Sequence, residues 1–289
     1  MAETVTHDLD VPGGALVYDV AGPLPPADGQ RPLFMIGHPM GSSGFAELAS
    51  HFPDRTVVSY DPRGCDRSHV ADADHSPRQN AEDVHQLIGL VGGGPVDVFG
   101  SSGGAVTGLA LVSLYPDDVR VLVAHEPPIL GVLPDADNAR VAFRQVTDAY
   151  HQGGFGAGMA RFIVLTSTEG EFTHLKLAQP APDPAMFGLP TEDDGGRDNP
   201  LMSGVSDPVI EYDLDPDALN AAPTTVVIAA GVESRSQVPG RAAAEVAKLL
   251  GSELTMFPSH HGGFNGGDGP YAGKPEEFAA KLREVLAAG

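Results

Sequence analysis

Val96-Asp97-Val98-Phe99-Gly100-Ser101-Ser102-Gly103-Gly104-Ala105-Val106-Thr107-Gly108-Leu109-Ala110-Leu111 changes its character halfway along. The first four residues form a short β-branched and aromatic run, the pattern of a buried strand, and from Ala105 to Tyr115 the apolar spacing is that of a buried helix. Between them lies Gly100-Ser101-Ser102-Gly103-Gly104, a G-x-S-x-G at the point where strand must become helix. Such a turn strains the backbone at Ser102, and the flanking glycines are needed because side chains there would collide with the strand and helix on either side. The turn holds the Ser102 hydroxyl above the sheet, at a helix N-terminus whose free N–H groups stabilise an anion. A glycine-rich packing turn is the plainer alternative. The strand-turn-helix setting favours a nucleophile.

Outward from this turn, short Val-, Ile- and Leu-rich runs alternate with helical patterns, which predicts an α/β fold with a mainly parallel sheet. Strands are expected near Val5–Leu9, Ala15–Val20, Leu33–Ile36, Thr56–Tyr60, Val96–Phe99, Val119–Val123, Thr225–Ala229 and Glu253–Phe257, the first two antiparallel about Pro12-Gly13-Gly14. Helices are expected near Gly44–Phe52, Pro77–Val91, Ser102–Tyr115, Pro239–Leu250 and Pro275–Ala287. The gap between the strand ending near His125 and the one starting near Thr224 is far longer than an ordinary connection. It predicts a helical lid over residues 128–222, inserted between two core segments, 1–127 and 223–289, with helices near Ala136–His151, Gly158–Thr166 and Asp198–Val209. Gly262–Gly273 reads as a flexible loop.

The 289 residues carry 17 Lys+Arg against 39 Asp+Glu, a net charge of −22 with His neutral, so nucleic-acid backbones and anionic membrane surfaces are repelled. Cys65 is the single cysteine and has no intramolecular disulfide partner, which fits a reducing cytoplasm. Met1 to Asp10 has neither a basic n-region nor an apolar h-region, and no apolar run approaches a spanning length. The expected partner is a small-molecule substrate, with no nucleic acid and no membrane. The oligomeric state is open.

A serine nucleophile needs a base. Phe257-Pro258-Ser259-His260-His261-Gly262-Gly263-Phe264 follows the last strand at the carboxyl edge of the sheet, where ligands bind in open α/β folds, and either histidine could serve. A carboxylate must orient the imidazole. Glu233, after the strand Thr225–Ala229, stands in the chain order Ser, acid, His and is the expected acid; Glu126, in His125-Glu126-Pro127-Pro128, is the alternative and could instead line the pocket. For the oxyanion, Gly103 supplies one N–H, and in Gly37-His38-Pro39-Met40-Gly41 the proline has none, which leaves Met40 as the expected second donor. His38 and Glu126 are candidates for substrate contact. His69-Val70-Ala71-Asp72-Ala73-Asp74-His75 meets no zinc spacing and reads as a polar loop, so no metal is expected.

With Gly100–Gly104, His38-Pro39-Met40-Gly41, Tyr60-Asp61-Pro62-Arg63-Gly64-Cys65-Asp66-Arg67-Ser68 and His261-Gly262-Gly263-Phe264 in place, the chain resembles the α/β-hydrolase superfamily over nearly its whole length. Its 60–68 segment is similar to the D-x-R-G-x-G-x-S turn of capped members, including proline iminopeptidases, with Asp66 replacing the second glycine. The resemblance implies a Ser-His-acid triad, no cofactor and a pocket between core and lid, and it singles out His261 over His260. The expected activity is cleavage of a small, mainly apolar ester or lactone through an acyl-enzyme on Ser102, with an aminopeptidase or carbon–carbon hydrolase on the same triad, or a non-catalytic receptor of the same fold, as the alternatives. Arg63, Asp66 and Arg67 read as structural charges.

Overall fold

The computed structural model describes residues 4–26, 30–267 and 272–289. Eight strands form one sheet: β1 Thr4–Val11, β2 Gly14–Ala21, β3 Leu33–Ile36, β4 Val57–Tyr60, β5 Val96–Ser101, β6 Val119–His125, β7 Thr225–Gly231 and β8 Thr255–Phe257, in the order β1-β2-β4-β3-β5-β6-β7-β8. β1 and β2 pair antiparallel, as do β2 and β4; every other neighbouring pair is parallel. The interior strand β5 is buried along its whole length, and its one charged residue, Asp97, is paired with Arg55 and Arg120.

The helices are α1 Ala46–Ser50, α2 Pro77–Leu90, α3 Gly103–Leu114, α4 Ala136–Ser167, α5 His174–Leu177, α6 Asp207–Ile210, α7 Pro216–Ala221, α8 Val238–Leu249 and α9 Pro275–Ala288. Buried side chains of α2, α3 and α8 cover one face of the sheet, and those of α1 and α9 cover the other. Their start signals are local. Ser76 caps α2 by accepting from Gln79 N, with Pro77 at the first position, and α9 opens on Pro275 with Glu276 and Glu277 in its first turn. Among the described residues no helix is long and apolar enough to cross a membrane.

Between β6 and β7 the chain builds a separate apolar cluster from α4 and its neighbours. The two helical patterns expected here are one run of 32 residues, broken at Gly154, whose φ of 74° and ψ of −165° lie outside helical space. A Cβ at Gly156 would stand 1.8 Å from Pro190 O, so the glycine-rich stretch is also where the following irregular segment packs down. The helix expected over Asp198–Val209 contracts to α6, because Gly204 at φ 94° interrupts it. Residues 261–264 form a turn with Gly263 and Phe264 buried, and 265–267 continue without regular structure; residues 268–271 lie outside those described.

At the joint of β5 and α3 the backbone of three elements meets. A Cβ on Gly104 would lie 2.1 Å from Ile36 O at the end of β3, and one on Gly100 would lie 2.6 Å from Gly104 O. Next to this joint, His125 ends β6 fully buried, its ring 5.3 to 6.4 Å from those of Phe99, Phe257, Phe264 and Phe278, with neither ring nitrogen hydrogen-bonded. Burial brings its pKa from 6.5 down to about 4; Glu126 opposes this, while His261 and His260 reinforce it.

Gly104→Ala is expected to destabilise the fold by at least ~3 kcal/mol, since backbone must move, whereas Gly89→Ala on an open face of α2 should gain about 0.5–1 kcal/mol. Urea midpoints of the two variants against wild type check both signs. The depressed pKa of His125 also sets a pH dependence. As pH falls below 6.5 the unfolded chain accepts a proton that the folded chain refuses, so this residue's contribution to stability is lost between about 6.5 and 4. His125→Phe should reduce the fall in unfolding free energy over that window by about one proton, or ~1.4 kcal/mol per pH unit, in urea titrations.

Candidate active site

Ser102 sits between β5 and α3 at φ 55° and ψ −126°, a backbone conformation that costs a non-glycine residue about 1–3 kcal/mol. Tertiary bonds hold it there: its N–H donates to His125 O at 3.0 Å, and its carbonyl accepts from Ala105 N at 2.9 Å. Behind it, Gly103 begins α3, so its N–H has no carbonyl partner within the helix.

His261 lies in the turn after β8, closed by Gly263 N donating to His260 O at 2.8 Å. Its Nδ1 is 2.5 Å from Glu126 Oε2. Ser102 and His261 line one cavity of about 920 Å³ without a direct hydrogen bond between them. In the absence of a bound acyl group such pairs are often long and tighten only when substrate is present.

The acid expected from chain order was Glu233, and the structure puts Glu126 on the imidazole instead. Glu126 follows β6 directly, with φ 53°, and its N–H donates to Ala229 O on β7 at 2.9 Å. That left-handed step turns the side chain inward beneath the end of β7. There Oε1 accepts from Gly231 N at 2.8 Å and from the Ser234 hydroxyl, and Oε2 faces His261. Burial alone would raise the carboxyl pKa. The hydrogen bond from His261, the electrostatic influence of the His125 and His261 imidazoles, and the bond from Ser234 outweigh it and hold the group at about 2. Glu233 comes one turn later, where Ser234 points into the protein and Glu233 points out; its side chain is exposed on the cavity wall. With both its oxygens occupied and its side chain fully buried, Glu126 is not among the cavity-lining residues and is not free to meet a substrate. Ser234 and Gly231, the partners that fix Glu126, carry no motif in the sequence.

The turn after β3 also departs from expectation. Met40 faces the core: it packs with the cluster beneath the sheet, and its carbonyl folds back so that a Cβ on Gly37 would meet it at 2.4 Å. The cavity is lined by His38 and Pro39 instead. His38 abuts the serine turn, since a Cβ on Gly103 would stand 2.6 Å from His38 O, and its own N–H has no hydrogen-bond partner among the described residues. The His38 imidazole is buried against His75, with Nε2 3.2 Å from Nδ1, and burial followed by the charge of His75 lowers its pKa to about 3. His75 is buried, not part of a solvated loop.

Around these groups the 60–68 turn is held by charge. Arg63 makes two 2.7 Å bonds to Asp83, Arg67 bonds Asp61 at 2.6 Å and Asp19 at 2.8 Å, and Asp66, at φ 44°, accepts from Gly41 N at 3.1 Å. His260 lines the cavity beside His261; its Nδ1 accepts from Gly262 N at 3.1 Å, and its Nε2 is buried without a partner. Phe143, Phe162, Ile163, Met186, Leu201 and Ile210, all from the insertion, supply apolar wall, and among the described lining residues there is no lysine or arginine.

The fold has known relatives. The uncharacterized hydrolase YraK of Bacillus subtilis (strain 168) is 28% identical over 288 residues, covering 96% of this chain and 94% of its own. Among solved structures, the carboxylesterase CesB (YbfK) of Bacillus subtilis superposes with a TM-score of 0.63 at 15% identity, over 99% of this chain and 93% of that one. The N-acyl homoserine lactonase AidH, complexed with N-butanoyl homoserine, gives 0.59 at 18% identity, over 98% and 96%. At these identities the two structures share the fold. The alpha/beta hydrolase fold family matches residues 29–193, more than half of the sequence, and the chain belongs to that family.

Proposed function

We propose that the chain is a serine hydrolase that cleaves a small, mainly apolar ester or lactone through an acyl-enzyme on Ser102. The observation that carries this reading is the shared placement of Ser102 and His261 on one apolar-walled cavity, with a buried carboxylate on the far nitrogen of His261. In this reading His261 Nε2 takes the Ser102 proton as Oγ adds to the carbonyl carbon, while Glu126 keeps Nδ1 protonated and stabilises the imidazolium. The N–H groups of Gly103 and His38 receive the oxyanion. Collapse breaks the bond to the leaving alkoxide, which takes the proton from His261. Water then adds to the acyl-enzyme with His261 again as base, releasing the acid and restoring the Ser102 hydroxyl; for a lactone, acid and alcohol leave as one hydroxy acid.

The insertion, residues 128–222, acts here as a lid that excludes water and sets the size of the acyl group. A cavity of about 920 Å³ walled by phenylalanine, isoleucine, leucine and methionine suits an uncharged acyl chain. Asp207 and Glu233 on its wall, unaccompanied by a basic residue among the described lining, disfavour anionic substrates. The ester and lactone chemistry named for CesB and AidH supports the same class.

Ser102→Ala and His261→Ala are each expected to lower kcat on p-nitrophenyl esters by at least ~10⁴-fold with an unchanged circular dichroism spectrum. Wild-type turnover lost in neither variant, or absent from the wild type, would refute the reading; the latter outcome fits a non-catalytic receptor. Glu126→Gln should lose roughly a hundredfold or more in kcat with little change in KM, and Glu233→Gln should stay within about threefold of wild type on neutral esters. The reverse ranking would return the acid to the β7 loop.

A further inference from the structure

Three side chains from separate parts of the chain converge behind the β3 turn. His38 comes from that turn, Cys65 from the loop after β4, and His75 from the segment entering α2. They are 3%, 4% and 7% exposed, respectively. One donor atom from each lies within 4.8 Å of the other two. Their hydrogen bonding is incomplete: the His38–His75 contact at 3.2 Å is the single bond within the trio, His38 Nδ1 is buried without a partner, and Cys65 Sγ has none among the described residues.

Buried polar groups are nearly always paired, and a thiol beside two buried imidazoles is a set of soft and borderline donors. The spacing is informative. Two imidazole nitrogens on a tetrahedral zinc, each at 2.0–2.1 Å, stand about 3.3 Å apart, close to the observed 3.2 Å. The two rings meet at 69°, so they do not stack face to face, and His38 Nε2 and His75 Nδ1 face each other. Asp61 is taken up by Arg67, but Asp66, which makes no ion pair among the described residues, lies close enough to act electrostatically on the sulfur and on a cation placed there.

We propose that His38, Cys65 and His75 form a binding site for one borderline-soft transition-metal ion of the zinc class. Both histidines bind through neutral ring nitrogens. Cys65 gives up its S–H proton to solvent as the sulfur–metal bond forms, and a fourth position remains for water. Because His38 also supplies the backbone beside Gly103, the ion braces the wall of the cavity from behind. This site stands on its own geometry and holds whether or not Ser102 is the nucleophile.

Chelator-treated full-length protein titrated with Co²⁺ is expected to bind one equivalent saturably and to show a sulfur-to-cobalt charge-transfer band that Zn²⁺ abolishes by displacement. Zn²⁺ should raise Tm by roughly 5 °C at a hundredfold excess over Kd and release one proton per ion bound. Cys65→Ser should lose the band and weaken Zn²⁺ binding at least tenfold, and His75→Gln, which keeps the thiol, should weaken it similarly. A wild-type chain that shows no band at excess Co²⁺ overturns the proposal. So does a Zn²⁺-induced Tm shift that is equal in wild type and His75→Gln, the result expected of surface carboxylates alone.

Discussion

No side chain fits between the first turn of α3 and the end of β3, and this backbone contact places everything that follows. With Gly104 against the Ile36 carbonyl, the β5–α3 joint is pulled beside the β3 turn, and Ser102 and His38 become neighbours across adjacent strands. A larger residue at 104 would separate them. The strain at Ser102 is sustained by the same joint, because its N–H is held by β6 on one side and its carbonyl by α3 on the other. A hydroxyl raised in this way needs no conformational change to present itself to the cavity.

The second determinant is electrostatic. The surface carries most of the net charge of −22, where water and salt screen it, but Glu126 is buried and its charge is not screened. An isolated carboxylate at that depth would be neutral. Gly231 N–H, the Ser234 hydroxyl and the imidazole of His261 keep it ionised, and in doing so they join the ends of β6, β7 and β8. Breaking any one of those contacts leaves a charge in an apolar surround, so the site is tied to the stability of this edge of the sheet.

Much of this is legible in the sequence. A strand-length run against a helical one, with G-x-S-x-G between them, locates Ser102, and the same change of period recovers the succession of strands and helices along the core. Which carboxylate meets His261 is not legible, because Glu126 and Glu233 both follow strands that end at the same edge. What separates them is a left-handed backbone step at 126 and an inward Ser234, neither of which leaves a mark in composition or period. In the β3 turn the absence of an N–H on Pro39 points forward to Met40, whose side chain packs into the core cluster, while the backbone of His38 lies beside Gly103. His75 is surrounded in sequence by polar residues, and only the wrapping of the 60–68 turn buries it.

The break at Gly154 divides α4 into two arms, and both arms contribute wall to the cavity, Phe143 from the first and Phe162 from the second. Gly154 itself touches no part of the cavity; a Cβ there would meet Asp193, which is paired with Arg197 at the surface. The angle between the arms is therefore set from outside. Substitutions in the 193–197 segment bear on the joint between two arms that both wall the cavity, while leaving every residue that faces it unchanged.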